Sequence, residues 1–177
     1  NTPGANANGV KELTVCALML AARDIAGGIA FAESLAGTEG LAKAIEKGKS
    51  AFVGHEVAGK TLGVIGLGAI GGMVATTATH LGMTVEGCDP YLTVEGAWSL
   101  SRNVKKAATY EEIFRSSDYI TLHVPATDET KHMINRETLA MMKDGVRIIN
   151  LARADLVDFD ALKEALASGK VARYVTD

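Results

Sequence analysis

The run Lys60-Thr61-Leu62-Gly63-Val64-Ile65-Gly66-Leu67-Gly68-Ala69-Ile70-Gly71, continued by Gly87-Cys88-Asp89-Pro90, reads as one strand-turn-helix-strand unit. Leu62 to Ile65 is a short branched apolar run, Ile70 to Leu81 has helical composition with Gly82 as its stop, and Met83 to Cys88 forms a second strand. Gly66, Gly68 and Gly71 set a GxGxxG spacing in the turn. Gly66 permits the tight turn, Gly68 lets the backbone approach a pyrophosphate, and Gly71 lets the helix pack close on the strand. Ala69 and Ile70 then open the helix, where unpaired N–H groups and the positive end of the helix dipole stabilise phosphate charge. Taken alone, the spacing marks only a tight turn. Asp89, about 20 residues past the glycines, supplies the acid that a dinucleotide-binding fold places on the adenosine ribose. Its carboxylate accepts from ribose hydroxyls and repels a 2′-phosphate, and Pro90-Tyr91 adds no cation, so NAD is the expected cofactor.

Working outward, 177 residues suffice for one sizeable core, and the chain is expected to be one domain over 1–177. A net charge of −3 with acids and bases interspersed leaves no basic face for nucleic acid and no polybasic run for a lipid surface. Cys16 and Cys88 fall in a predicted helix and strand without CxxC or metal-ligand spacing, and are expected to be buried, reduced thiols. No apolar run reaches membrane length and no charged start precedes an apolar segment, so a soluble, cytoplasmic protein is expected. Asn1-Thr2-Pro3-Gly4 contains no initiator Met and reads as a chain already in progress.

Before the glycine unit, residues 8–35 carry helical periodicity and predict one long helix with a weak point at Gly27-Gly28. A short helix over 41–46 precedes a loose stretch, 48–59, whose apolar Ala51-Phe52-Val53 suits either a partner surface or its own domain. After the unit, 93–103 reads as irregular, 104–107 as a third strand, and Thr109 with Glu112 as a capping box. Strands are expected at 119–124 and 146–151. Asn135 caps a helix to Met142 that Gly145 closes, Asp158 caps another to Ser168, and 171–176 is the last strand. Six strands alternating with helices predict an α/β, Rossmann-type doubly wound parallel sheet.

In that fold ligands lie outside the carboxyl ends of the strands, which singles out Gly66 to Gly71, Asp89, His123-Val124-Pro125, Leu151-Ala152-Arg153 and Asp177. Arg153 is the one base at these ends; its planar guanidinium can hold a substrate carboxylate with two parallel hydrogen bonds and polarise an adjacent carbonyl. An ion pair with Asp155 or Asp158 is the structural alternative. His123, before Val-Pro with no carboxylate near in sequence, reads as a loop residue beside the cofactor rather than a general acid.

These motifs together resemble the D-isomer-specific 2-hydroxyacid dehydrogenases. The resemblance rests on Asn1 to Asn8 with Glu12-Leu13-Thr14, Gly59 to Gly71, Gly82-Met83, Asp89-Pro90-Tyr91, Leu122 to Thr127 with Thr130, and Asn150 to Arg153 with Leu156-Val157-Asp158. It implies an NAD-binding domain inserted in a substrate-binding domain, hydride transfer between C2 of a D-2-hydroxy acid and NAD, and a homodimer formed through this domain. It implies that Arg153 is the catalytic Arg and that Asp177 contacts the nicotinamide carboxamide. The partner Glu and His would lie beyond residue 177, so the piece is expected to bind NAD with little turnover. Two positions depart from the family pattern: Ala154-Asp155 replace glycines after the Arg, and Ala69 stands where relatives often carry Arg. An NAD-sensing, dimerising module of the same fold remains the alternative to an enzyme.

Overall fold

The computed structural model describes residues 6–177; the Asn1 to Ala5 part of the resemblance lies outside them. Six strands, β1 (Thr61–Ile65), β2 (Thr84–Cys88), β3 (Val104–Lys106), β4 (Tyr119–Leu122), β5 (Val146–Asn150) and β6 (Val171–Thr176), form one sheet in the order β3-β2-β1-β4-β5-β6. Every pairing is parallel. The chain reverses its direction of growth between β1 and β4, where the register pairs Ile65 with both Cys88 and Leu122. A doubly wound sheet opens its ligand crevice at that point.

Helices cover both faces. On one face α1 (Ala7–Ala22) and α4 (Ala69–His80) pack Leu18, Ala21, Val74 and Ala78 against Leu62, Val64, Val85 and Ile149. On the other, α6 (Tyr110–Ser116), α7 (Arg136–Met141) and α8 (Phe159–Ser168) pack Ile113, Phe114, Leu139 and Leu162 against Ile65, Ile120, Leu122 and Ile148. Strands buried on both sides need no polar alternation, and β4 is buried at all four positions. Asp158 accepts from the N–H groups of Asp160 and Ala161, and Gly169 ends α8 in the left-handed region, as the sequence indicated.

Several elements differ from expectation. The long helix over 8–35 is two helices, α1 and α2 (Ile25–Ser34), bent by 67°. The break falls at Arg23-Asp24 rather than Gly27-Gly28, because Arg23 is extended and the Asp24 carboxylate caps α2 by accepting from Gly27 N–H at 3.1 Å. The 93–103 stretch contains α5 (Val94–Ser99), capped by Thr93. The loose 48–59 stretch begins with a 3₁₀ turn, Lys49–Phe52, after α3 (Leu41–Gly48). At the predicted capping box Thr109 accepts from Glu112 N–H, but the Glu112 carboxylate reaches Ala108 N–H, one residue further back. Gly145 does not close α7, which stops at Met141; its N–H instead donates to Lys170 O at the entry to β5. Cys88 is buried as expected, whereas Cys16 is exposed on α1. Among the described residues no single helix is long and apolar enough to cross a membrane.

Candidate functional site: a nucleotide cleft at the switch point

Three strand ends converge on one cleft of about 760 Å³, bringing together Gly66 and Gly68 after β1, Asp89 and Pro90 after β2, and His123, Val124 and Pro125 after β4. Gly66 has φ +89°, and a side chain there would press on the His123 carbonyl. Gly71 faces the Gly66 carbonyl so closely that a Cβ would collide with it. Both are therefore required by the protein itself. Gly68 differs: a Cβ built there meets nothing within 4 Å, so no protein atom explains the glycine. Beside that open space the helix N–H groups of Ala69, Ile70 and Gly71 find no acceptor among the described residues. Open backbone, orphan donors and a helix N-terminus together form an anion cradle, which fits a dinucleotide pyrophosphate.

Asp89 is half-buried and already engaged: Oδ2 accepts from Leu67 N–H at 2.8 Å and Oδ1 from Tyr91 N–H at 2.9 Å. Each carboxylate oxygen keeps lone-pair capacity for a ribose hydroxyl. The sequence did not show this second task, the tying of the glycine turn to the end of β2. The Cys88 thiol next to it is pushed up from its ordinary pKa by burial and then by the Asp89 charge, so it stays a neutral packing group.

His123 is half-buried, with Nε2 2.9 Å from Thr121 Oγ1. Burial pushes its pKa down to about 4, so the ring is neutral near pH 7. The neutral imidazole lines the same cleft as Gly66, Gly68 and Asp89.

Leu151, Ala152, Arg153 and Asp177 lie apart from this cleft, where β5 and β6 end; Asn150 and Thr176 are paired in register there. Arg153 is exposed, with Nη1 donating to Ala152 O at 2.7 Å. Among the described residues it forms no ion pair, and Asp158 is occupied as a helix cap, so the structural alternative for Arg153 is absent. The loop bearing it is built by Asn150, a buried amide at the end of an otherwise apolar strand. Asn150 Oδ1 accepts from Ala152 and Arg153 N–H, while Nδ2 donates to Arg153 O and Tyr174 Oη. Its positioning role was missed from sequence, although a lone amide ending a buried apolar run is the kind of signal that announces one.

The model of the D-isomer-specific 2-hydroxyacid dehydrogenase NAD-binding domain matches residues 25–177. The chain belongs to this family. D-isomer-specific 2-hydroxyacid dehydrogenases similar to it include D-3-phosphoglycerate dehydrogenases of Bacillus subtilis, 47% identical over 135 residues, and of Methanocaldococcus jannaschii, 42% identical over all 177. A hydroxypyruvate reductase of Thermotoga maritima is 41% identical over 171 residues. These matches take in 76%, 100% and 97% of the chain but only 25%, 32% and 51% of the relatives, so the chain spans a quarter to a half of their length. Among solved structures, a D-lactate dehydrogenase from Aquifex aeolicus complexed with NAD and lactic acid superposes with a TM-score of 0.82 at 31% identity, covering 100% of this chain and 49% of that one. The domain is an NAD-binding one, and the cradle at Gly68 suits that cofactor.

Proposed function

We propose that this chain is the NAD-binding domain of a D-3-phosphoglycerate dehydrogenase-like oxidoreductase. The intact protein would interconvert 3-phosphoglycerate and 3-phosphohydroxypyruvate, the entry to serine synthesis, in the cytoplasm. The observation that carries the reading is the unexplained space at Gly68 beside three unpaired N–H groups. The choice of acid is supported by the 42–47% identity to the two D-3-phosphoglycerate dehydrogenases. Bound NAD supplies an acceptor for the hydride from C2 of the hydroxy acid. Ala69, Ile70 and Gly71 N–H hold the pyrophosphate, Asp89 accepts from the ribose hydroxyls, and His123, Val124 and Pro125 wall the adenosine half. Leu151, Ala152 and Asp177 border the nicotinamide half, with Asp177 holding the carboxamide. Arg153 binds the substrate carboxylate through two parallel N–H···O bonds and orients the carbonyl that forms at C2.

Among the described residues no histidine lies within 4 Å of a carboxylate, so no oriented acid-base pair accompanies Arg153. General acid-base assistance is worth about 10²–10⁴-fold, and the chain by itself is accordingly expected to bind NAD with little turnover. A homodimer fits the N-terminal arm: α2 has no buried residue, and Ile29 and Val53 are 55% and 62% exposed. Turnover of the intact protein on 3-phosphoglycerate, D-glycerate and D-lactate tests the assignment; 3-phosphoglycerate should have the highest kcat/KM. Preference for an unphosphorylated acid would replace it with another member of the family, and binding of NAD without turnover of any acid would favour a sensing module.

A further inference from the structure

The outer edge of the nucleotide cleft carries a feature that the glycine turn and Asp89 do not account for. Tyr91 Oη donates to Glu129 Oε2 at 3.0 Å, joining the loop after β2 to the loop after β4, and both residues line the cleft. The two ends of this bridge are held. Tyr91 N–H donates to Asp89 Oδ1, so the tyrosine is anchored on the residue expected to contact the ribose. On the other side buried Thr130 pins the loop by donating from Oγ1 to Pro125 O at 2.6 Å and accepting from Thr127 N–H at 2.8 Å, which presents Asp128 and Glu129 between fixed points. On this side the lining contains three carboxylates, Asp89, Asp128 and Glu129, whereas the cations nearest in the lining of adjoining hollows, Lys11 and Lys105 among them, border Asp89 away from Glu129.

We propose that Glu129, held by Tyr91, is a second determinant of cofactor choice that acts with Asp89 to exclude a 2′-phosphate. The inference rests on the NAD-binding reading above and refines it. A ribose with free hydroxyls meets acceptors at this edge, whereas a 2′-phosphate brings about two negative charges towards three. Repulsion by Asp89 would be relieved by substituting that one residue, but Glu129 would still oppose the phosphate. Asp89 variants alone should therefore remain NAD-preferring. Because Glu129 is exposed, its effect passes through water and must weaken with salt.

Calorimetric titration of NADH and NADPH into the 177-residue chain and into Glu129→Gln, Tyr91→Phe, Asp89→Asn and Asp89→Asn/Glu129→Gln variants tests this. At low ionic strength Glu129→Gln should narrow the ratio of NADPH to NADH dissociation constants by about threefold to fivefold, and high salt should erase most of that change. Tyr91→Phe, which frees the carboxylate but keeps its charge, should narrow it less. The double variant should narrow it beyond Asp89→Asn alone. Equal movement of both dissociation constants, an unmoved ratio, or a shift indifferent to salt would overturn the proposal while NADH binding persists. Failure of the unsubstituted chain to bind NADH is a different result, one that removes the cofactor reading on which the proposal stands.

Discussion

At the scale of single residues, the glycine turn separates what the protein requires from what a ligand requires. Gly71→Ala forces a methyl into the Gly66 carbonyl and should destabilise the domain by about 2–3 kcal/mol, measured as a shift in the urea midpoint. An unshifted midpoint would mean that α4 can slide away from β1. His123 gives a pH signature whose sign is fixed. With an ordinary pKa of 6.5 lowered to about 4 by burial, the unfolded chain binds more protons than the folded one between those values. The contribution is intact above pH 6.5 and is lost as pH falls towards 4, to a total of about 3 kcal/mol. Urea titrations of the chain and of His123→Gln across that window should differ in slope, and parallel curves would show that the ring is freely hydrated. At this scale the glycine turn was legible where the backbone admits only glycine, as at the tight turn of Gly66 and the close helix packing of Gly71. The bond by which Asp89 holds Leu67 N–H was not legible, because it depends on a strand pairing absent from any local window.

Among the elements, the strand ends carry the functional geometry, and Asn150 shows how a strand end becomes a platform. Its amide satisfies two N–H groups and a carbonyl of the Arg153 loop while buried. Asn150→Leu should cost about 1–3 kcal/mol by stranding those groups, and under the proposed dehydrogenase function should raise KM for the hydroxy acid more than for NAD. Equal effects on both would reduce Asn150 to a fold residue. The element boundaries that the sequence located well, α8 and β6 above all, are those marked by a capping side chain and a terminal glycine. Those it missed were weaker in composition. The α1–α2 break lies inside continuous helical periodicity and is set by one Asp24 cap, and α5 is a six-residue helix too short to show a period.

For the whole molecule, the order β3-β2-β1-β4-β5-β6 is what places the glycine turn, Asp89 and His123 around one crevice and leaves Arg153 and Asp177 outside it, after the paired ends of β5 and β6. The alternation of six apolar strands with helices made that arrangement legible, since parallel strands joined by helices have few other solutions. The N-terminal arm was legible only as apolar, and we propose that a second copy of the chain covers it. Sedimentation should show a dimer that Ile29→Glu with Val53→Glu converts to monomer; a monomeric unsubstituted chain would refute the arm as an interface. The central claim, that the cleft at the switch point is an NAD cradle, is met most directly by calorimetric titration of NADH into this chain and its Gly68→Val variant. One NADH per chain should bind with a dissociation constant below millimolar, and Gly68→Val should abolish binding. Absence of binding by the unsubstituted chain, or undiminished affinity in Gly68→Val, would contradict it.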